Sequence, residues 1–247
     1  MKLIIDGKAF NAYPGDSILD VARREGIAIP TLCYHEAFGG QGSCRLCMVE
    51  VTAGGRSRLV ASCTYPVSEG IEVKTSTPAV EKIRRNIIMV LYKRASGSVL
   101  MQKLYREYGC SENSLGEKQE ERCIVCRLCV LACEKMGTSA ISTVMRGIDK
   151  RVGTPYDQAA TACIGCAACA HICPTGAIEV LDSGNIRTIW NKNFNLINCE
   201  RCGQPFATRE EIDYVSRRSG IEDAELCFCE ECRRKKLVGK MQGFSPC

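Results

Sequence analysis

Histidine is scarce in this 247-residue chain: His35 and His171 are the whole complement. Histidine acid–base catalysis is therefore not expected. Aromatic residues make up 6% and include one tryptophan, so large rings contribute little to any core. No stretch approaches the ~18 apolar residues of a membrane span. The opening MKLIIDGKAF has no apolar run of signal-peptide length and no small-residue cleavage site. No GxGxxG follows a predicted strand, and there is no P-loop and no nucleophile constellation. The expectation is a cytoplasmic chain without a membrane span and without a substrate-converting site of its own.

What the chain has is cysteine, 19 residues in clusters. In a reducing compartment such clusters bind metal more often than they pair as disulfides. The formal charge of +5 counts every cysteine as neutral. If most of them bind metal as thiolates, the loaded charge falls to about −3. Nucleic-acid binding is therefore not expected.

Cysteine spacing and punctuation divide the chain into four segments: 1–77, 78–122, 123–190 and 191–247. The expected class is α+β. In the first segment Met1–Ile5 and Lys8–Ala12 flank Asp6-Gly7, a hairpin-turn pair. Asp16 is expected to cap a short helix with Ile18, Leu19, Val21 and Ala22 as its apolar side and Gly26 as its stop. Strands are expected at Met48–Thr52, Arg58–Ser62 and Ile71–Thr75. Strand, strand, helix, then strands is the order of a β-grasp domain. Thr77-Pro78 opens a helix, with Val80, Ile83, Ile87 and Leu91 at helical spacing. A second helix is expected near Leu100–Tyr108, ending at Gly109, and residues 110–122 read as a linker.

Cys33, Cys44, Cys47 and Cys63 read C-x10-C-x2-C-x15-C. Iron with inorganic sulfide takes four soft thiolates as two tetrahedral pairs. A CxxC pair can span one iron and two distant cysteines the other, giving a 2Fe-2S site. The loop Gly39–Ser43 lets backbone N–H groups approach the sulfurs. Zinc or unligated thiols are the alternatives.

Cys123, Cys126, Cys129 and Cys133 read C-x2-C-x2-C-x3-C, and Cys163, Cys166, Cys169 and Cys173 repeat it before Pro174. In the bacterial ferredoxin run with two 4Fe-4S clusters, the fourth cysteine ligates the other cluster. One 4Fe-4S cluster is thus expected on Cys123, Cys126, Cys129 and Cys173. The other falls to Cys163, Cys166, Cys169 and Cys133. Glu134 stands where the second run has its proline. His171 lies inside a run whose four cysteines already satisfy a cluster, so it is expected at the surface or behind the ligands.

The stretch RGIDKRVGTPYDQAATACIGCAACAHICPTGAI, residues 146–178, resembles the large iron–sulfur subunit of complex I. It also resembles the equivalent subunits of NAD-linked hydrogenases and formate dehydrogenases. The first cysteine set is similar to that family's N-terminal β-grasp domain, and the resemblance covers residues 1–180. It implies an electron relay, with a flavin-bearing NADH-dehydrogenase-like subunit and a catalytic subunit as partners. Soluble ferredoxin is a further candidate if the assembly is electron-bifurcating. The family usually holds another cluster between these modules with one histidine and three cysteines. Residues 78–122 contain no histidine and only Cys110, expected as a free thiol, so that cluster is expected to be absent.

Cys199, Cys202, Cys229 and Cys232 form two CxxC pairs, a tetrahedral set for zinc or a single iron. The phrase CERCGQPFATREEIDY with the later CEEC resembles the C-terminal unit of the ferredoxin-like subunit of formate hydrogenlyase. That implies a rubredoxin-like or zinc-ribbon site; the rival is a third 4Fe-4S cluster using Cys227. The basic run Arg233–Lys236 is either a solvated helix end or a contact for an acidic partner, and Cys247 is expected to be free. The reading as a whole is an iron–sulfur relay subunit of an NAD(P)-linked oxidoreductase; the alternative is a freestanding multi-cluster ferredoxin.

Overall fold

The computed structural model describes residues 1–111 and 120–241, the side chains of 239–241 excepted. Cys247 and most of the expected linker lie outside the described residues. The chain forms two compact units: Met1–Leu131 with Ile172–Ala177, and Ala132–His171 with Ile178–Cys247.

In the first unit, β1 (Lys2–Ile5) and β2 (Lys8–Asn11) form a hairpin. Its turn is Asp6-Gly7 with φ of 48° and 81°, the positive values a two-residue hairpin turn requires. Helix α1 (Ile18–Arg24) is capped by Ser17 and not by the expected Asp16. Ser17 Oγ accepts from Asp20 N, and the Asp20 carboxylate accepts from Ser17 N, a reciprocal capping box. Asp16 is occupied elsewhere: it accepts from Tyr13 N and pairs with Arg24 at 3.0 Å.

A short ribbon, β3 (Tyr34–His35) with β4 (Gly39–Gly40), precedes β5 (Met48–Ala53), β6 (Arg56–Ala61) and β7 (Glu72–Lys74). The sheet runs β2-β1-β7-β5-β6, with β1 and β7 parallel and the other pairs antiparallel. Leu3, Ile5, Val49, Val51 and Val73 from the strands and Ile18, Leu19, Val21 and Ala22 from α1 share one buried core. Helix α2 (Pro78–Arg94) starts at Thr77, whose Oγ1 accepts from Val80 N, and α3 (Val99–Glu107) follows. A second core joins Leu32, Leu46, Ile88, Ala95, Met101, Ile124 and Leu128 with Cys33, Cys44 and Cys126. The boundary between the units falls within α4 (Leu128–Met136).

The second unit holds a hairpin of β8 (Ser142–Val144) and β9 (Arg151–Gly153), then the short α5 (Ala168–His171). An antiparallel meander follows: β10 (Leu181–Ser183), β11 (Ile186–Ile189), β12 (Lys192–Asn198) and β13 (Pro205–Thr208). This sheet runs across the segment boundary placed at 190/191 from sequence. The β11–β12 turn is itself Trp190-Asn191, with φ of 52° and 57°. Helices α6 (Arg209–Ser219), α7 (Asp223–Leu226) and α8 (Glu230–Met241) complete the unit. Their buried core is small: Ala207, Ile212 and Leu226. Among the described residues no helix is long and apolar enough to cross a membrane.

Candidate iron–sulfur and metal centres

Cys33, Cys44, Cys47 and Cys63 are all buried. Cys33 follows α1, Cys44 and Cys47 occupy the loop into β5, and Cys63 follows β6. The close pairs are Cys33 with Cys44 and Cys47 with Cys63. This differs from the pairing read from the CxxC spacing. The loop turns at Arg45 (φ 60°) between Cys44 and Cys47. Cys44 N donates to Cys33 Sγ at 3.3 Å. The Cys44 side chain, helped by the N–H groups of Cys44, Ser43 and Gln41, draws the Cys33 thiol down to about 6. Cys47 is likewise drawn to about 6 by the Cys63 side chain, then by the Cys63 N–H and the Ser62 hydroxyl. Their partners Cys44 and Cys63 are pushed up, because the first thiolate of each pair holds the second as a thiol.

Gly40 sits where a Cβ would meet Cys63 Cβ at 2.5 Å and also strike the Cys63 carbonyl. Ser62 is fully buried, its hydroxyl favouring the Cys47 thiolate. Four buried soft donors, N–H groups facing the sulfurs and a backbone packed against a ligand fit a two-iron, two-sulfide group.

The two ferredoxin-type runs share a backbone pattern. Val125 and Arg127 have φ of 53° and 69°, and the corresponding Gly165 and Ala167 have 70° and 58°. Such values are costly for a β-branched valine. The first unit contains Cys123, Cys126, Cys129 and Cys173, and the second contains Cys133, Cys163, Cys166 and Cys169. Each thus holds three cysteines of one run and the fourth of the other.

In the first unit, Val125 N donates to Cys123 Sγ and Ala177 N to Cys173 Sγ, both at 3.3 Å. Burial pushes Cys126 up to about 11, reinforced by the charges of Cys173, Cys123 and Cys33. In the second unit the four cysteines line a small, mostly apolar cavity with Ile141, Ile164, Ile189 and Trp190. Ala140 N donates to Cys133 Sγ at 3.1 Å and Trp190 Nε1 to Cys169 Sγ at 3.4 Å. Gly165 is held where a Cβ would meet Phe194 and Thr208 at 2.8 Å. Lys192 Nζ donates to the Cys163 carbonyl at 2.7 Å. An apolar cavity lined by four sulfurs and met by N–H donors fits a four-iron group.

The sulfurs of Cys199, Cys202, Cys229 and Cys232 all lie within 4.8 Å of one another. The first pair forms a tight turn after β12, closed by Gly203 (φ 74°), whose N–H donates to the Cys199 carbonyl at 2.8 Å. Cys232 lies in the first turn of α8 and Cys229 just before it. Cys229 N donates to Cys199 Sγ at 3.3 Å; this bond, with the N–H groups of Cys202 and Arg201, draws Cys199 to about 6. Burial pushes Cys232 up to about 12. Cys227 stands outside the group, its thiol donating to the Asp223 carbonyl at 3.2 Å.

Cys110 is apart from all four sets, its thiol 3.7 Å from the Arg85 carbonyl. His35 and His171 are exposed. The basic run lies in α8, where Lys235 pairs with Glu231 at 2.6 Å and Lys236 sits over the Phe228 ring. Sequence reasoning passed over Trp190, Ser62 and Arg84. Being the sole tryptophan, beside a cysteine run, was the one available hint for Trp190.

Residues 1–78 match the 2Fe-2S iron-sulfur cluster binding domain and residues 117–180 the 4Fe-4S dicluster domain. The chain therefore combines a 2Fe-2S and a 4Fe-4S dicluster domain in one mixed helix-and-sheet protein. Its homologues are iron–sulfur subunits of NAD(P)-linked oxidoreductases. The NADP-reducing hydrogenase subunit HndD of Solidesulfovibrio fructosivorans is 33% identical over 72% of this chain and 36% of its own length. The alpha subunit of the NADPH-Fe(3+) oxidoreductase of Geobacter sulfurreducens is 30% identical over 90% of this chain and 28% of its own. The chain thus spans about a third or less of the curated relatives it matches. A solved chain of an NAD+-reducing NiFe hydrogenase is similar with a TM-score of 0.61 and 29% identity, over 71% of this chain and 85% of that one.

Proposed function

We propose that the chain is the iron–sulfur relay subunit of a multisubunit NAD(P)-linked oxidoreductase of the flavin-based, electron-bifurcating kind. It would carry single electrons in the cytoplasm between a flavin-bearing NADH-dehydrogenase-like subunit and a catalytic subunit or soluble ferredoxin. The observation that carries this reading is the second core of the first unit. Cys33 and Cys44 of the two-iron set and Cys126 of a four-iron set are buried in it together, and the charge on Cys33 is felt at Cys126. Two redox groups held across one buried apolar core are poised for exchange without a diffusing intermediate.

When bound, the iron–sulfur groups supply one-electron redox chemistry without bond making. The 2Fe-2S group is assigned to Cys33, Cys44, Cys47 and Cys63 on a β-grasp domain. The two 4Fe-4S groups are assigned to Cys123, Cys126, Cys129 and Cys173, and to Cys163, Cys166, Cys169 and Cys133. The chain's residues exclude water and aim N–H groups at the sulfurs, which sets the potentials. Between these modules we assign no further histidine-held cluster of the kind the resemblance implies. Residues 78–122 offer no histidine, and Cys110 is turned to a backbone carbonyl. Cys199, Cys202, Cys229 and Cys232 are assigned one zinc or iron ion, because Cys227 is turned away from them.

Anaerobic native purification of the tagged chain tests the function. Recovery with a flavin subunit, and bleaching of this chain's iron–sulfur absorbance on addition of NADH or NADPH, is the expected result. Recovery alone at monomer mass, fully loaded, would mean a diffusible carrier instead. Metal analysis tests the cofactors: about ten irons, ten sulfides and one zinc, or about eleven irons with ten sulfides. About fourteen of each would restore Cys227 to a third 4Fe-4S group.

A further inference from the structure

Arg84 is the one charged side chain that is buried among the described residues. It reaches from the middle of α2 to the start of β5, where its Nη2 donates to the Met48 carbonyl at 2.7 Å. Its Nε is buried without a hydrogen-bond partner, and no carboxylate among the described residues forms an ion pair with it. Glu81, one turn earlier, accepts from Ser76 Oγ at 2.7 Å. A guanidinium does not give up its proton in a protein, so burial cannot neutralise it. A buried charge of this kind is strongly unfavourable unless an opposite charge stands near it.

The surroundings name that charge. Met48 adjoins Cys47, and the groups whose negative charge favours the Arg84 cation are Tyr108, then the Cys47 sulfur, then Glu81; of these Cys47 is the one in the metal-binding set. The Ser62 hydroxyl, itself buried, also favours the thiolate of the same ligand. Four thiolates around two ferric ions and two sulfides carry a net charge of about −2, and about −3 after one electron is added.

We propose that Arg84 is the buried counter-charge of the two-iron group held by Cys33, Cys44, Cys47 and Cys63, and that it raises that group's reduction potential. The inference rests on the proposed assignment of that site. A fixed positive charge stabilises the more negative, reduced form more than the oxidised one. One electron enters the group and no bond or proton is exchanged. Arg84 acts through charge and is a positioning and tuning residue, not a catalytic one.

The test uses the full chain, purified anaerobically as wild type, Arg84→Gln and Arg84→Lys. Each is titrated with dithionite while the two-iron EPR signal is followed. Glutamine keeps a donor toward the Met48 carbonyl and loses the charge; lysine keeps the charge. The expected result is a downward shift for Arg84→Gln, a value near wild type for Arg84→Lys, and unchanged four-iron potentials in both. Loss of the two-iron signal from Arg84→Gln with retention in Arg84→Lys also supports the charge pairing. An unshifted Arg84→Gln, equal shifts in the two variants, or loss of the signal from Arg84→Lys would overturn it. If wild type lacks a two-iron signal, the site assignment itself is wrong and the inference falls with it.

Discussion

The first and last cysteine sets are both four sulfurs drawn together from separated stretches of chain, but they are held in different ways. Cys47 and Cys63 lie in a core with Leu3, Ile5, Ile18, Leu19, Val49, Val51, Ile71 and Val73, and Cys33 and Cys44 in a second core with Leu32, Leu46, Ile88 and Met101. Cys199, Cys202, Cys229 and Cys232 are backed by Ala207, Ile212 and Leu226, and Cys202 is exposed. Among the described residues that cluster, with Ile197, Phe206 and Val215 partly buried against it, offers little burial against the entropy of ordering three helices and a knuckle. The first region is expected to keep its shape without its metal group, and the last to depend on a bound ion for its shape. A redox group profits from the first arrangement, since rigid N–H donors set its potential, and a structural ion suits the second.

The largest effect that would break this contrast is removal of the last site. Cys229→Ser, or chelation, should unfold 199–232 locally, since structural zinc contributes about 10 kcal/mol or more in small domains. Hydrogen exchange should show lost protection there, while Cys47→Ser empties the two-iron site and leaves protection in β1, β5 and β7. Equal loss, or none, in both variants would erase the distinction. Ion binding at this site must also depend on pH. Cys232, up near 12, gives up a proton to the solvent on loading, whereas Cys199, near 6, is already a thiolate at neutral pH. Affinity for added zinc should therefore rise with pH and fall more steeply below about 6, where Cys199 also binds a proton.

A smaller effect probes how tightly the first fold grips its site. Gly40→Ala would drive a methyl into Cys63. An overpacked contact of this kind costs about 1–3 kcal/mol. The strands need not unfold to relieve it, because the Cys63 loop can move. The expected outcome is a chain that keeps its β-sheet circular dichroism but loses the two-iron absorbance. Retention of both would show that the loop gives way more easily than the close packing suggests.

The parts of this architecture that were legible in the sequence are those coded over short spans. The cysteine runs announce themselves because consecutive loop residues wrap one site, and Asp6-Gly7 and Thr77-Pro78 punctuate the chain with residues suited to their backbone angles. The helix cap was misplaced by one residue because Asp16 and Ser17 are both good acceptors. Only the tertiary partner Arg24 and the reciprocal bond from Asp20 decide between them. The sulfur pairing in the first set was hidden because Cys33 and Cys63 are brought to Cys44 and Cys47 by the fold and not by their spacing in the chain. The pairing of β1 with β7 joins Ile4 to Glu72, far beyond any local pattern. Arg84 looked like one more charge in a helix, since its burial follows from that same long-range assembly.

The set at Cys133, Cys163, Cys166 and Cys169 stands between the two extremes, and Trp190 offers the finest test of where. Its ring lines the cavity and its Nε1 donates to Cys169 Sγ at 3.4 Å, from a turn whose backbone is held at φ 52°. Such a bond to a charged acceptor is worth about 1.5–3 kcal/mol in full. Only the difference in its strength between the two oxidation states moves the potential, so the effect is the smallest of the three. Trp190→Phe keeps an aromatic wall and removes the donor. If the meander holds this site as firmly as the N-terminal sheet holds the first, iron content stays unchanged. One four-iron potential then falls, because the more negative reduced form loses more than the oxidised one, while the other four-iron potential stays where it was. If iron is lost instead, the site leans on its ligands for shape as the last set does, and the boundary between the two ways of holding a metal moves toward the middle of the chain.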